Sequence, residues 1–417
     1  MIQGFYTGIN GLMANQDAID IISDNVANIN TVGFRGYDAE FANLFEKALM
    51  GTGLGTSVTS QIGLGVRVNA TAINQSSGSL LQSDRNTDLA IAGDGWFGVE
   101  KNGETFYTRD GRFGFDASGT LVSAEGFNVL GTLGGNVANG VLSPRLESVG
   151  LAPVTSQQKI SLPTELYYPV DPTKEAKFFG NLGTEDEIRA VNAKAIDSSS
   201  NINTIRVEFS KSIPQVLPGT QWDATATAMS LDGTQIYDVK SGQVSFDSGG
   251  ALISSTLNSI DNNGTSVTLD FGSGYSGLFT TNYDSHLASS SDGVIGGDLS
   301  SYSVAQNGQI LASFTNGRQS SVGSIALFHF ANDRALDRAG DTKFRVSANS
   351  GQPFFYTDSN GNPTSGSAIL SNRLENSNVA LDSALTNLII MQRSYGANAK
   401  TITTSDEMIQ KALSMRK

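Results

Sequence analysis

The chain of 417 residues has no cysteine and only two histidines, His286 and His329. The absence of cysteine excludes disulfides, thiolate metal sites and a cysteine nucleophile. The two histidines lie far apart in the sequence, and neither has the spacing of a metal site or the neighbours of a catalytic one. The sequence therefore predicts no catalytic residue, no metal site and no cofactor, and we expect a protein that is not an enzyme.

Charged side chains are also few. They make up 16% of the chain, and 40 acidic residues against 27 lysines and arginines give a net charge of −13. Binding to nucleic acid requires clustered basic residues, so this balance argues against such a partner. The first residues lack the basic and apolar regions of a signal peptide, and no stretch of 18 apolar residues occurs. We therefore expect no cleaved signal peptide and no membrane insertion.

What the chain does contain is glycine, with 46 residues, together with many Ser, Thr and Asn. Such a composition favours short strands joined by turns. The pairs Asn102-Gly103 and Asp110-Gly111 tolerate the positive φ angles of a type I′ turn, which predicts two hairpins. A matching block is predicted downstream, where Asn307-Gly308 and Asn316-Gly317 flank the segment QILASF.

Both ends of the chain carry apolar residues at alternating spacings of three and four. This alternation is typical of a coiled-coil seam, which another helix must cover. One such stripe alone is more often an ordinary core-facing helix, and only the two together, with the motifs described below, suggest contacts between copies of the chain. The residues predicted to lie at these subunit interfaces are Phe5, Ile9, Leu12, Ile19, Val26, Leu381, Leu385, Leu388, Tyr395, Ile402 and Ile409.

The expected fold class is α+β and mostly β, with paired terminal coiled-coil helices and a composite β-domain into which a second β-domain is inserted. The first helix is predicted to stop near Asn28 with Gly33 as its C-terminal stop, and a short second helix is predicted over 38–49. Segment 50–65 predicts a loop or an extended arm. The predicted units are 1–65 (N-terminal helix and connecting arm), 66–150 (first half of the inner β-domain), 151–289 (inserted outer β-domain), 290–372 (second half of the inner β-domain) and 373–417 (C-terminal coiled-coil helix).

Three blocks of this sequence resemble the bacterial flagellar axial proteins, the family that builds rod and hook. They are DIISDNVANINTVGFR over 20–35, the central run NTDLAIAGDGWFGV with FYTRDGRF, and SNVA with NLIIMQRSY near the carboxyl end. Asp24 stands where the family usually has Asn, Arg35 where it has Lys, and Ala380 where it has Asp or Asn. The residues that match the family motifs are Asn25, Asn28, Thr31, Gly33, Phe34, Asn378, Gln392, Arg393 and Tyr395.

The resemblance implies a subunit of a hollow helical tube, with terminal helices innermost and the inserted domain outermost. The implied partners are identical subunits, the distal rod, hook cap and hook–filament junction proteins, and the flagellar type III export apparatus. The implied location is the bacterial flagellum, outside the cell and attached to the basal body. The inserted segment favours a hook-type subunit, part of a curved tube that passes torque from rod to filament. The long arm resembles a feature of distal rods, so a distal rod protein remains the alternative.

A second class of function stays open from the residues alone, that of a secreted carbohydrate-binding or adhesive β-protein. The Ser-, Asn- and Gly-rich middle segment would then bind sugars. Against this, Trp222 is the single tryptophan of that segment, and no pair of acidic residues stands out there. The residues named for helix and motif also have a simple structural interpretation, since Asn25, Asn28 and Thr31 suit helix ends and turns.

Overall fold

The computed structural model describes residues 2–44, 47–49, 60–215 and 219–415. Most of the regular structure is β-strand, and one long helix lies at each end of the chain. The expectation of a mostly β, α+β fold with two terminal helices is therefore confirmed.

The terminal helices are α1, Ile2–Ala27, and α2, Leu381–Ser414. They lie side by side and antiparallel, since Gly4 near the start of α1 faces Ser405 near the end of α2. α1 ends directly before Asn28, as predicted. The helix-stop role predicted for Gly33 is wrong: it has a φ of +71°, but it lies beyond the helix end, and its amide donates to the carbonyl of Glu375 at 2.7 Å.

The segment after α1 forms a β-hairpin that we call the arm. Its strands are β1, Tyr37–Asn43, β2, Lys47–Leu49, β3, Ser60–Ile62, and β4, Val66–Ile73. β1 pairs antiparallel with β4, and β2 pairs with β3. The helix predicted over 38–49 is therefore wrong, because pairing with a strand further along the chain outweighs local helix propensity. Of the arm predicted over 50–65, residues 50–59 lie outside the described residues.

Short strands follow from the arm to the carboxyl helix. The first group is β5 Leu80–Gln82, β6 Leu89–Ala92, β7 Trp96–Lys101, β8 Glu104–Thr108, β9 Phe113–Phe115, β10 Leu121–Ser123, β11 Asn128–Leu133, β12 Val137–Ala138, β13 Val141–Leu142, β14 Gln158–Lys159 and β15 Tyr167–Tyr168. The second is β16 Glu175–Asn181, β17 Arg189–Ile196, β18 Ile202–Lys211, β19 Thr220–Ser230, β20 Ile236–Phe246, β21 Ala251–Ser255, β22 Ser259–Asn262, β23 Thr265–Asp270, β24 Gly274–Phe279 and β25 His286–Ser291. The third is β26 Gly297–Val304, β27 Gln309–Phe314, β28 Gln319–Ile325, β29 Leu327–Phe328, β30 Asp337–Arg338, β31 Lys343–Arg345, β32 Tyr356–Thr357, β33 Pro363–Thr364, β34 Ala368–Ser371 and β35 Arg373–Glu375.

Most strands of the first and third groups share one fifteen-stranded sheet, which we call the inner unit together with the two-stranded pairs beside it. Its central order is β15-β26-β27-β28-β11-β7-β8-β31. Strands that precede the second group in the chain therefore pair directly with strands that follow it. β6 pairs with β34, and β5 with β35, which brings the returning chain back to the base of the arm. The core of this unit is apolar and mostly aliphatic, and it includes the fully buried rings of Phe97 and Phe113.

The second group forms a separate ten-stranded sheet, which we call the outer unit. Its own core contains Trp222, Phe178, Phe209 and Phe246, all almost fully buried. The predicted start of the inserted domain at 151 is too early, because β14 and β15 pair with β11 and β26 of the inner unit. Asp171 and Val294 exchange both backbone hydrogen bonds where the chain leaves and returns. We therefore propose bounds of about 173 and 292 for the inserted unit.

Asn102-Gly103 forms the predicted two-residue turn, whereas Asp110-Gly111 does not. Asn102 and Gly103 have φ values of +57° and +82° and connect β7 to β8 as a two-residue hairpin, as predicted. The hairpin predicted at Asp110-Gly111 is wrong, because β9 pairs with β10 and not with β8. The carbonyl of Gly111 instead accepts a hydrogen bond from the amide of Leu89 at 3.0 Å, and a Cβ atom at Gly111 would collide with the Leu89 carbonyl.

Candidate functional site

The contact between the two terminal helices is made by small residues of α1. A Cβ atom at Gly8 would lie 3.0 Å from Ile402, and one at Gly11 would lie 2.8 Å from the side chain of Asn398. Ala14 and Ala18 continue this buried face along α1. The helices therefore approach closely along a ridge that has almost no side chains, and larger residues there would force them apart.

Of the predicted interface residues, Ile402 lies opposite Gly8 at this contact between the two helices of one chain. Leu381, Leu385 and Tyr395 are 45%, 43% and 36% exposed, and the remaining interface residues of both helices are half-buried. The glycines that allow the close approach within one chain were not part of the prediction. Whether these residues contact neighbouring copies stays a prediction, and their exposure leaves them free to do so.

Further apolar side chains lie on the outer faces of the helix pair. Tyr6 and Met13 of α1 are each 60% exposed, and Ile389 and Ile390 of α2 are about half exposed. Apolar side chains exposed in this way are typical of interaction surfaces. None of the described helices is long and apolar enough to cross a bilayer. Gln392 and Arg393, which belong to the family motif, are exposed and have no hydrogen bond or ion pair among the described side chains.

The helices meet the β-strands in a region that we call the joint, formed by residues 25–37, 74–78 and 373–379. Two asparagines hold it together through the backbone. The side chain of Asn25 donates to the carbonyl of Tyr37 at 2.7 Å and accepts from the Tyr37 amide at 2.9 Å. Asn378 accepts from the amide of Gly36 at 2.8 Å and donates to the carbonyls of Asn74 and Ser76. An amide side chain suits both positions, because it carries a donor and an acceptor on separate atoms and is short enough in asparagine to bond the adjacent backbone.

The other motif residues of the joint have local roles. Asn28 donates to the carbonyl of Asp24 at 2.9 Å, and the hydroxyl of Thr31 donates to Asn28 at 3.1 Å, which forms the turn after α1. Phe34 is buried and packs edge-on against Tyr37. The structure therefore brings Asn25, Asn28, Thr31, Gly33, Phe34 and Asn378 together, and it leaves Gln392, Arg393 and Tyr395 on the outer part of α2.

A buried ionic triad lies beneath these residues. Glu375 accepts from Arg35 at 2.9 Å and from Arg109 at 3.2 Å, and the three side chains are 2–4% exposed. The amide of Gly78 also donates to Glu375 at 2.9 Å, and Arg109 donates to the carbonyl of Gly93 at 2.9 Å. Burial and the neighbouring Arg109 lower the pKa of Arg35 to about 10, so this guanidinium stays positively charged at neutral pH. The triad ties together five chain segments at the joint.

Sequence reasoning missed Glu375 and Arg109. Arg35 was noted only as a change from the usual lysine, and the partners are separated by 340 and 266 positions in the chain. Strand alternation gave no signal, since Arg373 and Glu375 share one face of the strand and Leu374 lies on the other. Among the described residues, no group of three His, Asp or Glu side chains is arranged to hold a metal ion.

Three family models match separate parts of the chain. "Flagella basal body rod protein" matches residues 5–35, "Flagellar hook protein FlgE/F/G D1 domain" matches 90–167, and "Flagellar basal body rod FlgEFG protein C-terminal" matches 370–415. The first and last cover most of α1 and all of α2, together with much of the joint, and the second covers part of the inner unit.

Curated relatives match along the whole chain. The flagellar hook protein FlgE of Borreliella burgdorferi is 28% identical over 100% of both chains. That of Salmonella typhimurium is 26% identical over 99% of this chain and 100% of its own, and that of Helicobacter mustelae is 40% identical over 33% of this chain and 32% of its own. The crystal structure of Helicobacter pylori flagellar hook protein FlgE2 shares the fold with a TM-score of 0.55 and 15% identity, covering 71% of this chain and 100% of that one. The chain is therefore similar to flagellar hook proteins along its whole length, and to the flagellar rod and hook family models in three separate segments.

Proposed function

We propose that this chain is the structural subunit of the flagellar hook, which polymerises into a hollow curved tube and passes torque from rod to filament. The observation that carries the proposal is the end-to-end match to hook proteins, which includes the outer unit and not only the terminal helices. A distal rod protein of the same family is the alternative. A secreted carbohydrate-binding protein is not favoured, since full-length relatives are hook proteins.

The surfaces of the helix pair support polymerisation. Apolar side chains on two sides of the pair can contact different neighbours, and a heterologous contact that does not close on itself builds a filament. In such a tube the helices would pack innermost and the acidic outer unit would face solvent. The proposed partners are identical subunits, the distal rod at one end, the hook cap and junction proteins at the other, and the flagellar export apparatus.

Electron microscopy of basal bodies from cells that lack this gene separates hook from rod. Rods with complete rings and no hook are expected for a hook subunit. Rods that stop short would instead assign the chain to the distal rod.

The role of the helix surface is tested by Leu385→Asp in the full chain, with Leu385→Met as the matched control. A carboxylate at this position would be buried without a partner in the tube, and its desolvation is costly. We expect no tubes from the aspartate variant and normal tubes from the methionine variant, as seen by electron microscopy. Normal tubes from Leu385→Asp would contradict the assignment of this face.

A further inference from the structure

An acidic residue in the last turn of α1 is unusual on physical grounds. Asp24 lies close to the carboxyl end of the helix, where the helix dipole disfavours negative charge. Asn28 donates to one of its carboxylate oxygens at 3.1 Å. Asparagine, the residue that the family pattern usually has here, would avoid this cost, so the aspartate requires a compensating cation.

Arg338 provides that cation from the inner unit. Its guanidinium donates to the other carboxylate oxygen of Asp24 at 2.8 Å. The same guanidinium lies 5.3 Å from the ring of Tyr37 at the base of the arm and 5.8 Å from the ring of Phe34. Arg338 is held by β30, which pairs with β31 at the edge of the inner sheet. It therefore contacts the helix, the joint and the arm from a fixed strand.

No other ion pair among the described residues connects a terminal helix to the β-strands. The two charged side chains are 38% and 43% exposed, so dissolved salt screens their attraction. Salt screens the attraction within the buried triad much less, because its side chains are almost inaccessible to solvent. The joint thus combines a buried, salt-independent part with one accessible ionic contact.

We propose that Arg338 is a positioning residue that fixes the angle of the terminal helix pair on the inner unit, through Asp24 and the ring of Tyr37, in a salt-sensitive manner. The variants that test it are Asp24→Asn, Arg338→Gln and their combination. Arg334→Gln is the matched control, because this exposed arginine lies on the same segment and has no ion pair within the described chain. Amide hydrogen exchange of residues 22–28 is measured in the soluble chain and in assembled tubes, at low and high salt.

Arg338→Gln is expected to raise exchange of these amides about two- to fivefold, the range that corresponds to an exposed ion pair, because it leaves Asp24 without a cation. Asp24→Asn is expected to raise exchange less, because the amide also removes the unfavourable charge at the end of the helix. The amides of the combined variant should exchange no faster than those of the faster single variant. Salt should accelerate exchange in the native chain but not in the combined variant. Additive effects of the two changes, or a salt response that persists in the combined variant, would overturn the proposal. So would amides that are unprotected in both forms of the native chain.

The tube measurements rest on the proposed function, whereas those on the soluble chain do not. If the native chain makes no tubes but residues 22–28 show the coupled, salt-sensitive exchange, the proposed hook function is wrong and the positioning role of Arg338 stands. If tubes form and the coupling is absent, the positioning role fails and the hook function stands.

Discussion

At the scale of single residues, the joint depends on buried polar groups that are hydrogen-bonded to one another and to the backbone. Asn25 and Asn378 each accept a hydrogen bond from a backbone amide of the segment after α1. Glu375 supplies one negative charge between two buried arginines. Buried polar groups contribute most when every partner is present, because a single missing partner leaves a costly unpaired group. Residues at the joint should therefore tolerate substitution much less well than residues at exposed ion pairs.

Replacing Glu375 by alanine tests this difference. The change leaves Arg35 and Arg109 buried without a counter-charge, so we expect it to lower the free energy of unfolding of the inner unit by about 3 to 5 kcal/mol. Urea unfolding can be followed by Trp96 fluorescence in a Trp222→Phe background, since the chain has two tryptophans and one lies in each unit. Glu104→Gln, which removes an exposed pair with Arg345, is the control and should cost no more than about 1 kcal/mol. Equal losses of unfolding free energy from the two changes would show that the buried triad stabilises the fold no more than an exposed ion pair does.

A second prediction concerns the dependence of the outer unit on pH. Burial works against the charge of Asp197, but hydrogen bonds from Asn263, Asn201 and backbone amides hold the pKa of Asp197 below its ordinary value of 3.8. A carboxylate with a lowered pKa in the folded state stabilises the fold above its ordinary pKa, and this contribution is lost as pH falls through the lower value.

The outer unit should therefore lose stability below about pH 4, and Asp197→Asn should lose less over that range while being less stable at pH 7. Unfolding followed by Trp222 fluorescence in a Trp96→Phe background measures this. The Trp96 signal of the inner unit, recorded in a separate Trp222→Phe background with and without Asp197→Asn, provides the control, since it should be the same with and without that change. A pH profile of the outer unit that Asp197→Asn leaves unchanged would contradict the role of this residue.

At the scale of elements, the sequence predicted those structures whose cause is local. Asn102-Gly103 specifies its hairpin because two residues with positive φ suffice, and the terminal helices follow from their apolar spacing. The strand Tyr37–Asn43 was predicted as helix because its partner, Val66–Ile73, lies beyond a segment with no regular pattern of its own. The triad could not be predicted, because nothing in the local sequence relates Arg35 to a glutamate near the other end of the chain. The sequence alone therefore did not predict contacts between segments that are far apart in the chain.

The glycine ridge of α1 gives a prediction at this scale. Gly11→Leu places a side chain against Asn398 and separates the helices, so we expect loss of helical circular dichroism in the full chain and impaired tube formation. Gly396→Ala is the control within α2, because a Cβ atom there meets nothing within 4 Å. Alanine favours a helix over glycine by about 1 kcal/mol, so this control should keep or increase helicity. Normal helicity and assembly in Gly11→Leu would show that the close approach is unnecessary.

At the scale of the whole molecule, the two β-units have separate cores and separate sheets. The chain leaves the inner unit and returns to it at adjacent positions, since Asp171 and Val294 bond through both amides at 3.0 and 2.8 Å. The inner unit therefore needs no strand from the outer one. A hook must bend while it turns, and in the proposed tube the polar outer units can slide past one another where their contacts bury little surface.

Replacing residues 174–291 by a two-glycine linker separates assembly from bending. The adjacent ends of the insertion allow the linker to close without distorting the inner unit, so we expect the shortened chain still to form tubes through its terminal helices. These tubes should differ from native ones in curvature and bending stiffness, both measured from electron micrographs of isolated hooks. Because the joint and the helix surfaces are unchanged, a difference would be due to the missing contacts between outer units. Tubes with native curvature and stiffness would contradict sliding of the outer units and would move the origin of bending to the joint between helices and sheet.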